Sequence, residues 1–405
     1  MIEETYIQNK KNLLFYNDSK ISTIRKNILE KFKNSLYDKK NSETIANNSN
    51  LLKNTNYKFQ NNKISGAVQS EKTFYNLNII NGCCNSFNDS QLTLNSLFDK
   101  NPEKYFDYNL IPENDYITNL NSLFTNCGYE LIIKKNQNVN LVINNLLNEE
   151  NLTLFQKIFI KCEEGSQITI IDKFENNLTS LMNVFYKLEL KKNSKLNHIF
   201  IQNSAESSKL FLTSETKCFN NAEYTQNVIN FSNGYVRNHH YGDLFELSSQ
   251  SNFKGLFFIS DKNICDNKTF VRHHSANCKS DQIYKGVLSG MSKASYYSGT
   301  LVDQNAQKTE GYQLSKGILL SDNSNFFSKP ELRIYADDVQ CSHGSTIGPI
   351  DDNLIFYIRS RGLTTKEATR ILVKSFINED LEKINNNLII KKIEDYLNIY
   401  FKKNI

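Results

Sequence analysis

The sequence predicts a mainly β protein, a β-solenoid flanked by helical N-terminal and C-terminal domains. Three observations carry that expectation. From Tyr129 onward short runs such as "YELIIKK", "KIFIKC", "QITIIDKF", "NVFYKLELKK" and "KLFLTSE" recur, with the period-two alternation of strands. A small residue followed by an apolar or aromatic one also returns at a fixed interval. Asn138, Ser166, Ser194 and Ala222 follow one another at 28 residues, Ser251 comes 29 later, Ala294 43 later and Ser324 30 after that. A solenoid produces such spacing, because each coil must regain the same edge after the same path length. Finally, helical stripes are absent between these runs, which disfavours the crossover helices of a βαβ sheet.

Residues 1–125 read as a mainly helical N-terminal domain. "KISTIRKNILEKFKNSLYDK" sets Ile21, Ile24, Ile28, Leu29 and Phe32 at helical spacing, and "SQLTLNSLFDKNPEKYFDY" repeats the pattern through Leu94, Leu97 and Phe98. Between them, 40–65 is rich in Asn and weakly patterned. Residues 126–350 form the solenoid core. Residues 351–405 turn helical again, opening with a capping box in which Thr364 bonds first-turn amides while Glu367 reaches back. Ala368, Ile371, Leu372, Ser375 and Phe376 then share one face. The last stretch, "LIIKKIEDYLNIYFKK", is expected to expose Tyr396, Tyr400 and Phe401 as a docking surface for a partner.

Composition narrows the function classes. The formal net charge of +5 over 405 residues is modest, and Lys and Arg are interspersed with acids, so no nucleic-acid footprint is expected. Eight cysteines without a CxxC pair suit reduced thiols better than a disulfide framework. The start "MIEETYIQNKKNLLFYNDSK" lacks the apolar segment of a secretory signal, and no apolar run is long enough to span a membrane. A cytoplasmic protein is the expectation.

Chemistry concentrates in "DDVQCSHGSTIG", residues 337–348. On a strand Cys341 and His343 point to one face, about 7 Å apart along the chain. Thiolate and imidazole suit iron or zinc, yet two ligands fall short of the four such sites want. The missing ones would come from elsewhere in the fold, from another subunit or from sulfide. Alternatively Cys341 is a small buried hydrophobe. A Cys–His hydrolase is disfavoured, since no orienting third group is evident. The doublets His239–His240 and His273–His274 face opposite ways, so at most one of each pair can share a site. The Gln and Thr of "DQNAQKTEGYQLSKG" suit inward ladders that stabilise coils without catalysis. Arg359 and Arg361 of "FYIRSRG" are expected to bond carboxylates or helix-end carbonyls.

The stretch from Asn267 to Phe376, with "AQKT", "LLS", "KPELRIYADDVQCSHGSTIG" and "FYIRSRGL", closely resembles the core of the SufB/SufD family of iron–sulfur cluster assembly proteins. Upstream of about 260 the likeness is one of architecture. "CSHGST" is similar to the SufD branch. The resemblance implies a right-handed parallel β-helix between helical domains, in complex with SufB and the ATPase SufC. It implies a scaffold and not an enzyme, with Cys341 and His343 placed at the SufB interface for transient iron or an iron–sulfur cluster. It also implies SufC docking on the C-terminal helical domain, where Arg361, Phe376 and Tyr400 are the candidate interface residues. Arg272 stands where relatives often carry Asp, which leaves His273 without an inherited role. No GxxxxGK[ST] loop occurs, so this chain is not expected to bind ATP itself. A SufB-type scaffold and a β-helix carbohydrate-active enzyme are the alternatives.

Overall fold

Alternation at period two decides which side chains go inside, and the corners decide where the chain turns. In the computed structural model, which describes residues 2–33, 58–59, 66–71, 74–96, 103–382 and 387–405, the stretch Cys127–Pro349 winds through about eight turns. Each coil gives one strand to each of two parallel sheets. The first sheet holds Leu152–Cys162, Ser180–Leu190, Lys209–Cys218, Tyr235–Leu244, Ile264–His273, Lys293–Val302 and Asn325–Ile334. The second holds Asn138–Leu146, Gln167–Asn176, Lys195–Ser204, Glu223–Asn230, Gln250–Ile259, Lys279–Leu288, Thr309–Leu319 and Val339–Pro349. Inward residues such as Ile168, Leu196, Tyr224, Leu188 and Leu212 fill the lumen between the sheets.

One corner of every coil contains a single residue in the left-handed conformation: Asn136, Gly165, Asn193, Asn221, Ser248, Asn277 and Lys308. Asparagine tolerates that region better than most side chains do, and glycine tolerates it freely. Each of these residues donates its amide to the next coil; Asn193 reaches the Asn220 carbonyl at 2.9 Å and Asn277 the Gln307 carbonyl at 2.9 Å. The corners therefore carry the coil-to-coil ladder on between the sheets. They also correct the reading of the repeat. Ser166, Ser194 and Ala222 precede in-register strands of the second sheet, whereas Ala294 and Ser324 belong to the first. The irregular 43-residue step is a change of sheet.

The described part of 58–96 is strand joined by turns, in correction of the mainly helical expectation there. Phe74–Ile80 extends the second sheet beside Asn138–Leu146, and Leu92–Ser96 lies antiparallel to Cys127–Ile133. Leu92 and Leu94 point inward while Thr93 and Asn95 do not, which is strand alternation. An uncovered first coil would present unpaired amides, and these strands cover it. Leu97 and Phe98 fall outside the described residues, as does nearly all of 40–65.

Helices pack on both outer faces. Helices α1 (Ile2–Asn9), α2 (Ser19–Lys33) and α3 (Tyr116–Phe124) lie over the first sheet, where Ile28, Leu120 and Phe124 meet Phe155, Leu181 and Phe211. The exposed α4 (Asp352–Arg359) leads from the last strand to α5 (Thr365–Glu382) and α6 (Asn387–Asn404). These two pack on the second sheet: Val373, Ile377, Ile393 and Leu397 meet Ile199, Ile229 and Phe258. The capping box forms as expected, with the Glu367 amide donating to Thr364 Oγ1 at 3.3 Å and the Thr364 amide to Glu367 Oε2 at 2.8 Å. Tyr400 and Phe401 are corrected from docking residues to anchors. Both are buried, and the Tyr400 hydroxyl reaches the Ile259 and Val287 carbonyls at 3.3 Å each. The apolar stripe of α6 found its partner in the solenoid wall, which the local sequence does not reveal. No described helix is long and apolar enough to cross a membrane.

Candidate metal-handling site

The strands Asn325–Ile334 and Val339–Pro349 end their sheets, so among the described residues the solenoid finishes there on two unpaired edges. Parallel in-register pairing carries each inward column up to that end. Cys341 stands over Gly311, which stands over Ser280; His343 stands over Gln313, which stands over Gln282. The sequence-predicted pair thus shares one face, and that face is the lumen at its open mouth. Cys341 is half-buried against Val302, Ala306, Ala336 and Val339, while His343 is exposed. Burial pushes the Cys341 thiol above its ordinary range, and the Gly311 amide partly offsets that. His343 has no hydrogen-bond or ion-pair partner among the described residues. Its nitrogens are available to a ligand.

Among the described residues no group of three or more His, Cys, Asp or Glu side chains is placed to hold a metal ion. Cys341 and His343 thus stand at the mouth with no third such side chain grouped with them among the described residues. The other seven cysteines are all buried. Burial raises the Cys84 thiol to about 12, and the Cys127 thiol well up, which leaves both protonated and poor as ligands.

The histidine doublets split as their alternation requires. His240 faces the lumen, where Ser214 Oγ lies 2.8 Å from Nδ1 and the Gln226 amide donates to the same nitrogen at 3.0 Å. His239 faces outward onto Asp266, at 3.2 Å. His273 faces in, 2.9 Å from Ser280 Oγ, and His274 faces out between Asp243 at 2.6 Å and Asp303 at 3.0 Å. Arg272 bonds Asp303 at 3.1 Å, so it serves this outer ion-pair group. An inward amide ladder does run beneath the site, through Gln282 and Gln313.

Of the expected interface residues, Arg361 is exposed, stacking over Tyr357 at 4.9 Å and donating to its hydroxyl at 2.5 Å. Among the described residues its guanidinium contacts an aromatic ring and not the expected carboxylate or helix-end carbonyl. Phe376 is half-buried against the solenoid, and its carbonyl accepts from Lys285 at 2.9 Å. The sequence reading missed the apolar face of α4. Leu354, Phe356 and Tyr357 are 49%, 72% and 57% exposed, and Leu363 and Ile371 lie open nearby. The signal was present in "NLIFYIR", an apolar run on a short helix.

A family model described as SUF system FeS cluster assembly, SufBD core domain, matches residues 145–376, more than half of the chain and including Cys341 and His343. The chain is similar to the iron–sulfur cluster assembly protein SufD of Escherichia coli, 28% identical over 240 residues, 59% of this chain and 57% of that one. It is similar to a SufBD family protein of Synechocystis, at 26% identity over 56% of this chain and 52% of the relative. It also resembles SufD of Plasmodium berghei, at 26% over 67% of this chain and 20% of the much longer relative. The chain spans about half the length of the first two of these relatives.

Proposed function

This chain belongs to the SufB/SufD family, whose core domain serves the SUF system of iron–sulfur cluster assembly, and is SufD-like; from that premise we propose that it is a non-catalytic scaffold subunit, working with SufB and SufC. Cys341 and His343 are its contribution to the site that receives iron or a nascent cluster, and SufB completes the shell. One observation carries this reading: a thiol and an imidazole stand together at the open mouth of the solenoid, where, among the described residues, the imidazole has no partner and both sheets offer unpaired edges. Such edges suit strand addition by another chain, which would bring further ligands beside the pair. The cluster is cargo in this reading.

The docking face for the ATPase is the α4 surface of Leu354, Phe356 and Tyr357, beside Arg361. Aromatic and Arg side chains on an open apolar patch are the residues that anchor interfaces.

Replacing His343 with Ala and reconstituting the complex is expected to lower its iron content while SufB and SufC remain bound. Native iron content in that complex would remove His343 from the mechanism. Separately, Phe356→Asp is expected to weaken SufC capture about tenfold or more, the scale of an interface anchor. The urea midpoint of the isolated chain should not change, because Phe356 is 72% exposed. Undiminished capture would place the ATPase elsewhere.

A further inference from the structure

The rung beneath the Cys–His pair is built to hold it. Gly311 lies directly below Cys341 in the parallel stack. A β-carbon placed on Gly311 would stand 3.3 Å from Cys341 Sγ, closer than a comfortable carbon–sulfur contact, and 3.6 Å from both Ser280 Oγ and Thr300 Cγ2. The missing side chain is thus the space into which the sulfur settles. Two positions along, Gln313 lies below His343 with its amide group committed. Its Nε2 donates to Thr300 Oγ1 at 2.7 Å and to the Glu331 carbonyl at 3.1 Å, and its Oε1 accepts from Ser298 Oγ at 2.9 Å. No N–H remains on Gln313 to occupy the lone pair that an imidazole needs for a metal.

We infer that Gly311 is a positioning residue for Cys341: it provides the seat that fixes how far the thiol projects from the solenoid mouth, over a Gln313 floor that leaves the His343 lone pair free. The inference rests on the reading of Cys341 as a cluster-handling thiol, and it concerns a residue two coil corners away in sequence that touches the cargo only through that sulfur. Gly311→Ala lifts the thiol by a few tenths of an ångström toward solvent. A sulfur that projects farther from the solenoid mouth is met more readily by an attacking reagent, because access limits the reaction of a half-buried thiol.

The test is alkylation of the native full-length chain by iodoacetamide at one fixed pH. The other seven cysteines are buried, so the fast phase reports Cys341, and its loss in Cys341→Ala assigns it. Gly311→Ala is expected to raise the fast rate about threefold. An unchanged rate overturns the inference. Should Gly311→Ala be poorly folded, adding Cys341→Ala should restore the native urea midpoint, since the sulfur is the obstacle; no such coupling also overturns it. Iron content of the reconstituted complex separates the two claims. If Cys341→Ala keeps native iron, the cluster-handling reading fails and the alkylation result still judges the seat. If Cys341→Ala loses iron while Gly311→Ala, with its shifted thiol, keeps it, the positional role is overturned.

Discussion

Lowering the pH from 7 to 4 is expected to remove several kcal/mol of folding stability, with most of the fall below pH 6.5. Three histidines are buried in their neutral form. Burial foremost, then the Arg237 charge, holds His239 at about 4; burial, then His274, holds His273 at about 3. His240 lies well below its ordinary value for the same first reason, burial, followed by the neighbouring His239. Its hydrogen bonding agrees, because Nδ1 accepts from Gln226 and a proton there would oppose an N–H to an N–H. An unfolded histidine titrates at about 6.5. Below that value the unfolded chain takes up protons that the folded chain refuses. The contribution is therefore complete above pH 6.5 and drains as pH falls toward the folded values. His239 alone accounts for about 3 kcal/mol by pH 4. Glu215, whose carboxyl burial pushes upward, works in the opposite direction nearer its own range. Urea unfolding at pH 7, 6, 5 and 4 reads the slope; a midpoint constant across that range would show that the three rings are charged or hydrated in the fold.

Arg237→Ala is expected to cost about 3–5 kcal/mol, the scale of stranding one member of a buried ion pair. Arg237 is buried on the outer face of the first sheet, paired with Asp115 and bonded to Thr213 Oγ1 at 3.1 Å. Asp115 in turn caps α3, accepting the Thr118 amide at 2.7 Å. Removing the guanidinium leaves a nearly buried carboxylate with its cap alone, at the seam that fastens the N-terminal helices to the solenoid. The double variant Arg237→Met with Asp115→Asn should lose much less, since it removes both charges and keeps a capping oxygen. Comparing the two urea midpoints decides the matter. Equal losses would mean that the stranded charge does not set the cost.

Much of the solenoid was legible because its periodicities are local. Alternation at two residues writes the strands, and corner residues such as Asn193 and Asn221 recur because only a few residue types sit easily at positive φ. The misreadings came where local pattern is ambiguous. In "SQLTL" the leucines satisfy a strand as well as part of a helix, and pairing with Cys127–Ile133 decided for the strand. Tyr400 belongs to an amphipathic face whose cover lies over a hundred residues earlier, at Ile259 and Val287. For Arg361, a rule about carboxylates lost to the ring of Tyr357 one helical turn away.

By itself the sequence determined that Cys341 and His343 share a face, because successive residues of a strand alternate and no packing can undo that. It also determined the coil length, since the chain must come back over itself after each corner. Which face the pair occupies was left to the tertiary structure. Inward and outward alternation look alike along one strand, and only stacking on Gly311 and Gln313 turns the pair toward the lumen. The end of the stack is likewise a collective property: Val339–Pro349 stands at the mouth because no described strand follows it in the sheet. Register and termination are set by contacts between residues about thirty apart, and a linear pattern does not encode such contacts one residue at a time.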